Sequence, residues 1–129
     1  LPFPEVIQEY VALSPESVTA VWATSASMGP QIIVMMMEAF ANKDMDLFNK
    51  IAADIKYAGA PIMKPDGIIP SGDFPFYNIQ FEKLRFEASG YCKPGPARPP
   101  YGFMPEHFVE DAKENARGWV EITEKYQNA

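Results

Sequence analysis

Hydrophobic and polar residues along the chain alternate with two different periods, and the elements follow from them. Val6, Ile7, Tyr10 and Val11 share one helical face behind Pro4, which suits a first helical position, so 4–13 is predicted as a short helix. "SPES" (14–17) reads as a turn. The next stretch, "VTAVWAT" (18–24), is β-branched, aromatic and near-apolar on both faces, the pattern of a strand covered on both sides. A small-residue loop, "SASMGP", leads to a helix whose stripe is Ile33, Val34, Met37, Phe40 and Ala41. Ile32, Met35 and Met36 fill its other faces, which predicts burial on several sides.

After "NKD", Asp44 is placed to cap a helix with the stripe Leu47, Phe48, Ile51, Ala52 and Ile55, ending near Gly59-Ala60-Pro61. Residues 61–75 are dense in proline and glycine and predict an irregular loop. Residues 76–90 predict a helix with Tyr77, Phe81, Leu84 and Ala88 on one side and Gly90 as its stop. A stiff arm, "GYCKPGPARPPYGFMPE", then precedes a last helix from about Pro105 to Tyr126. Its stripe is Phe108, Val109, Ala112, Ala116, Trp119, Val120 and Thr123. The lone strand is the unstable feature, because its backbone donors and acceptors need neighbouring strands. Either it is not a strand, or polypeptide outside these residues completes its sheet.

At 129 residues the chain has the size of one domain with room for a core. Apolar and charged shares of 47% and 22% are those of a globular protein. A net charge of −6 argues against nucleic acid or an anionic membrane as partner. No apolar run approaches the ~20 residues of a membrane-spanning helix, and no secretory leader pattern is present. Cys92, the only cysteine, has no internal disulfide partner, so a cytoplasmic location is the expectation. The opening "LPFPEV" lacks an initiator methionine, which reads as processing or as a piece of something larger.

Most standard signatures of chemistry are missing. There is no glycine-rich nucleotide cradle, and His107 has no second ligand at metal-binding spacing, so neither metal nor cofactor is expected. The lysines lie where helix surfaces should be, and "EKLRFE" and "EDAKENAR" read as solvated faces. The suggestive positions are Trp22, Thr24 and Ser25 (with Ser27) where the strand gives way to a helix, and Tyr77 and Asn78 at a helix N-terminus. Core packing competes as the explanation of Trp22 and Tyr77, and helix capping as that of the serines.

Taken together, "VTAVWATSASMGP", "DMDLFNKIAADI", "YNIQFEKLRFEASGYCKPGPARPPYGFMPE" and "ARGWVEITEKY" resemble the C-terminal part of the aromatic hydratase-aldolases of the dihydrodipicolinate synthase/N-acetylneuraminate lyase superfamily. The resemblance implies an α/β fold, of which this chain would be the C-terminal portion of a (β/α)8 TIM barrel plus appended helices, mainly helical within itself. Such a barrel takes typically ~250 residues. Residues 1–60 would hold the last barrel strands, with Leu1–Phe3 ending the seventh and 18–24 the eighth, and the helices that follow. Residues 61–75 would be the connecting loop and 76–129 the appended helical region.

The implied chemistry is that of a Schiff-base, pyruvate-dependent lyase. Its lysine and tyrosine lie on earlier strands, so no catalytic residue is expected here. Trp22, Thr24, Ser25, Tyr77 and Asn78 would then bind substrate on the aldehyde side. The implied partners are the remainder of the barrel, an aromatic pyruvate substrate and further copies in a homo-oligomer. The alternatives are a non-catalytic helical binding or assembly module, and a superfamily lyase acting on sugar acids.

Overall fold

Capping and close packing fix where the helices begin and cross. The computed structural model describes residues 4–128, so the strand tail expected at Leu1–Phe3 lies outside the described residues. A turn of 3-10 helix, Pro4–Val6, runs into α1 (Ile7–Leu13), and a second such turn spans Pro15–Ser17. Residues 18–23 form neither helix nor ladder, and Thr24–Met28 is again 3-10. Then come α2 (Gln31–Ala41), α3 (Met45–Met63), α4 (Phe74–Ala88) and α5 (Glu106–Gln127). The Asp44 carboxylate accepts the Leu47 N–H at 3.1 Å and so starts α3, as its position after "NK" predicts.

The strand expected at 18–24 is not formed among the described residues. Ala23 keeps extended dihedrals, φ −130° and ψ 124°, but among the described residues no strand takes up the backbone groups of this segment. Val18 and Val21 lean on the core, while Trp22 is 69% exposed, so the segment is not covered on both sides within this chain. The helix expected to be buried all round behaves similarly. Ile32, Ile33, Met36 and Ala39 are buried, whereas Val34 is half exposed.

Two apolar clusters hold the helices together. The larger joins α2, α3 and α5 through Ile32, Met36, Phe48, Ile51, Ile55, Ala116 and Trp119. The α3–α5 crossing is close because Gly118 has no side chain; a Cβ there would lie 3.2 Å from both Cα and Cβ of Ala58. The smaller cluster, Ile62, Ile68, Phe81, Phe108 and Ala112, gathers the end of α3, the following loop, α4 and α5.

α3 does not stop at Gly59-Ala60-Pro61. It carries Pro61 inside its last turn and ends at Met63, with the Lys64 N–H donated to Ala60 O at 3.0 Å. Pro61 removes one intrahelical donor, and the turn it sits in buries Ile62 in the smaller cluster. Gly59 is there for another reason: the Glu5 side chain lies against its bare Cα. Gly90 does end the next helix, at φ +71°.

The proline-rich arm lies along α4. Lys83 Nζ donates to Gly95 O and Pro96 O at 3.3 and 2.8 Å, and Gln80 Nε2 donates to Phe103 O at 2.8 Å.

Candidate functional site

A seam of polar side chains is buried where Thr24–Met28 meets α4 and α5. Its centre is Arg85, only 1% exposed although it lies in a run that reads as a solvated face. Position 85 is one helical step from Phe81 on the inward side of α4, so its stem is drawn into the core. The guanidinium carbon sits 5.0 Å from the centre of the Phe81 ring.

Both terminal nitrogens of the guanidinium have partners, whereas its buried Nε has none among the described residues. Arg85 Nη1 donates to Asn115 Oδ1 at 2.9 Å. Nη2 donates to both Glu82 carboxylate oxygens at 2.8 Å and reaches Thr24 Oγ1 at 3.3 Å. Ser27 Oγ donates to Glu82 Oε2 at 3.3 Å, and Asn115 Nδ2 donates to Ala58 O at 2.7 Å. One cation therefore ties the 24–28 segment, α4, α5 and α3 together. Beyond the first hydrogen bonds lies Glu5, buried in the turn before α1. Burial pushes its carboxyl above the usual 4.5, opposed in part by its own backbone N–H and by the positive charge of Arg85.

The structure distributes the sequence-predicted residues around this seam. Thr24 belongs to the network. Ser25 is fully buried, and its Oγ has no hydrogen-bond partner among the described residues. Neither serine makes a cap hydrogen bond: the N-cap of α2 is Pro30, without a side-chain cap. Asn78 is exposed, one turn before Glu82 and on the same row of α4 as Glu82 and Arg85. Tyr77 belongs to the neighbouring face, half-buried in the smaller cluster with its ring 6.0 Å from that of Phe108. Trp22 projects outward just ahead of Thr24.

The seam's cation is held by a carboxylate, an amide and a hydroxyl, and among the described residues no nucleophile–base pair lies beside it. Elsewhere, the hydrogen bond from Lys64 to Asp111 (2.8 Å) raises the ammonium pKa, opposite to what an imine-forming lysine needs. The His107 ring lies 4.0 Å from that of Phe108, tilted by 47°, and Cys92 is exposed. Among the described residues no three His, Cys, Asp or Glu side chains cluster as metal ligands would, and no helix is long and apolar enough to cross a membrane.

No protein-family model matches the chain. A trans-O-hydroxybenzylidenepyruvate hydratase-aldolase of Pseudomonas aeruginosa is 32% identical to it over 123 residues, 90% of this chain and 35% of the relative. A trans-2'-carboxybenzalpyruvate hydratase-aldolase of Nocardioides sp. (strain KP7) is 35% identical over 115 residues, 87% of this chain and 33% of the relative. A solved structure, PhdJ bound to substrate intermediate, superposes with a TM-score of 0.82 at 25% identity, covering 98% of this chain and 38% of that one.

The chain resembles the C-terminal part of the hydratase-aldolases. It spans about a third of the length of the curated relatives it matches. Its mainly helical architecture is that of a C-terminal part of a larger fold. Within this hydratase-aldolase-like chain, the residues missed by pattern reading are Arg85, Glu82, Asn115 and Glu5. A signal for two of them was present: Arg85 falls four residues after Phe81, and Asn115 falls three after Ala112 and four before Trp119, at core positions of their helices.

Proposed function

We propose that this chain is the C-terminal part of a cytoplasmic, oligomeric hydratase-aldolase built on a (β/α)8 barrel, whose remaining strands supply the imine-forming lysine and the proton-transferring tyrosine. The lysine condenses with the keto group of an aryl-substituted unsaturated pyruvate. The protonated imine draws electrons from the conjugated double bond, so water adds at the aryl-bearing carbon. Cleavage between that carbon and its neighbour then releases the aromatic aldehyde, the electron pair passing to the imine nitrogen as an enamine. Protonation and hydrolysis return pyruvate and the free lysine.

The observation that carries the reading is the hydratase-aldolase similarity along nearly the whole chain. The structure supports a division of labour within it. This chain offers a polar seam and the exposed Trp22 and Asn78, and its Lys64 ammonium is stabilised by Asp111 rather than poised for imine formation. Trp22, Thr24, Ser25, Tyr77 and Asn78 form the aldehyde side of the pocket in this proposal. Exposed Leu13 and Trp22 are the surfaces that the rest of the barrel covers.

The test is borohydride trapping with pyruvate on the complete polypeptide, followed by intact-mass and peptide analysis. The proposal expects one reduced pyruvate adduct on a lysine outside these 129 residues. No adduct, or an adduct on one of the lysines of this chain, would overturn it.

A further inference from the structure

The Thr24–Met28 segment is too short to hold its own position. It is a single stretch of 3-10 helix, with no side-chain cap at its start. Its side-chain attachments to α4 are Thr24, which receives a hydrogen bond from Arg85 (3.3 Å), and Ser27, which donates to Glu82 (3.3 Å). Both lead to the Arg85–Glu82 pair, and Asn115 anchors that pair to α5 and to the Ala58 carbonyl of α3.

Stability alone is a poor reason for such a pair. A buried ion pair brings little net stabilisation, and well-packed apolar residues of similar volume often do as well or better. What apolar packing cannot supply is a planar fork with fixed directions to two other elements, the 24–28 segment and α5, braced by Glu82 on its own helix. The elements so fixed are those that carry the candidate substrate groups. Trp22 lies two residues before Thr24 and Ser25 directly after it, and Asn78 stands one turn along α4 from Glu82.

We propose that Arg85 is a positioning residue for the aromatic end of the substrate pocket, setting the register between the 22–27 segment and Asn78 without touching substrate. The inference rests on the hydratase-aldolase reading. Displacement of a binding group by about 1 Å costs up to ~100-fold in rate when geometry governs the step. Loosening the seam therefore weakens engagement of the aryl group and leaves imine formation with pyruvate alone intact, since that chemistry belongs to the other part of the barrel.

The experiment uses the complete polypeptide with Arg85→Lys, which keeps the charge but has a single nitrogen, and Glu82→Gln, which keeps the shape. Steady-state cleavage of the aryl-pyruvate aldol and the rate of borohydride trapping with pyruvate are measured on the same preparations. The expected result is a KM for the aryl substrate raised roughly tenfold in Arg85→Lys and less in Glu82→Gln, with pyruvate trapping within about twofold of wild type. Should Arg85→Lys fail to accumulate as folded protein, Glu82→Gln alone carries the test, with its smaller rise in KM and unchanged trapping.

Two results overturn the proposal: a KM unchanged in the folded variants, or trapping that falls in parallel with cleavage, which marks a merely structural role. Absence of trapping in the wild-type protein refutes the hydratase-aldolase reading itself, a failure separable from these because it needs no variant.

Discussion

Gly59 offers the sharpest test of the packing, because the structure predicts a change of sign. In the middle of an exposed helix, replacing glycine by alanine stabilises by about 1 kcal/mol. At Gly59 a Cβ would fall 2.4 Å from Glu5 Cγ and 3.2 Å from its Cδ and Oε1. The first separation lies far inside the ~3.5–4.0 Å of carbon contact. Glu5 cannot simply swing aside: Cγ is mid-chain, the residue is buried, and its turn packs on α3. Overpacking of this kind costs about 1–3 kcal/mol. Gly59→Ala in the wild-type background should therefore lower stability by up to ~2 kcal/mol after the propensity gain is credited.

In a Glu5→Ala background the obstructing atoms are gone, and the same substitution should raise stability by about 1 kcal/mol. The difference, a coupling of roughly 1–3 kcal/mol, is read from a double-mutant cycle and is independent of what Glu5→Ala does by itself. Urea unfolding of the four proteins followed by helical circular dichroism measures it. A coupling below ~0.5 kcal/mol would mean that Glu5 does not rest on Gly59, and the reasoning would fail.

Two further predictions follow from buried groups. Burial holds the Glu5 carboxyl above 4.5, against the opposing pull of its own N–H and of Arg85, so the folded chain binds this proton more tightly than the unfolded one. Its contribution then declines as pH rises from about 4.5 through the raised pKa and is level beyond it, at ~1.4 kcal/mol per tenfold difference in proton affinity. Glu5→Gln should remove that decline and be the more stable protein at neutral pH, as urea midpoints between about pH 4 and 7 would show. Trp119 is buried, and its indole N–H donates to Gly29 O at 3.1 Å. Trp119→Phe should cost about 2–3 kcal/mol, combining the lost hydrogen bond, the orphaned carbonyl and the space left behind. A denaturation midpoint within error of wild type would refute it.

The helices were legible wherever local chemistry decides them. Asp44 announces α3, Gly90 closes α4, and the apolar recurrence from Phe108 to Trp119 defines α5. What could not be read depends on partners distant in sequence. A strand is defined by its neighbours, and among the described residues the 18–23 segment has none. Pro61 looks like a helix terminator until the packing of Ile62 is known. The polar seam was hidden by the habit of assigning charged residues to the surface: Arg85 and Asn115 stand at core positions of α4 and α5, and only the fold shows that each meets the other. Of the candidate site, the sequence pointed to Thr24 and Ser25 but not to the arginine that holds their segment.

α4 connects these features and gives the proline-rich arm a physical role. The apolar side of the helix is only one of three that are engaged. Tyr77, Phe81 and Leu84 enter the smaller core, while Glu82 and Arg85 meet the 24–28 segment. Gln80 and Lys83 hold the arm. An arm rich in proline suits that third side, because proline has no N–H and keeps φ fixed, leaving carbonyls free to accept from an adjacent helix. Lys83 and Gln80 supply the donors. Clamped from outside by the arm and from inside by the core, α4 cannot roll about its axis without breaking contacts on both sides. Glu82 and Arg85 are thereby held toward the 24–28 segment, beyond whose far end Trp119 donates to Gly29 O. The arm thus bears on the polar seam indirectly, through the orientation of the helix that carries Glu82 and Arg85.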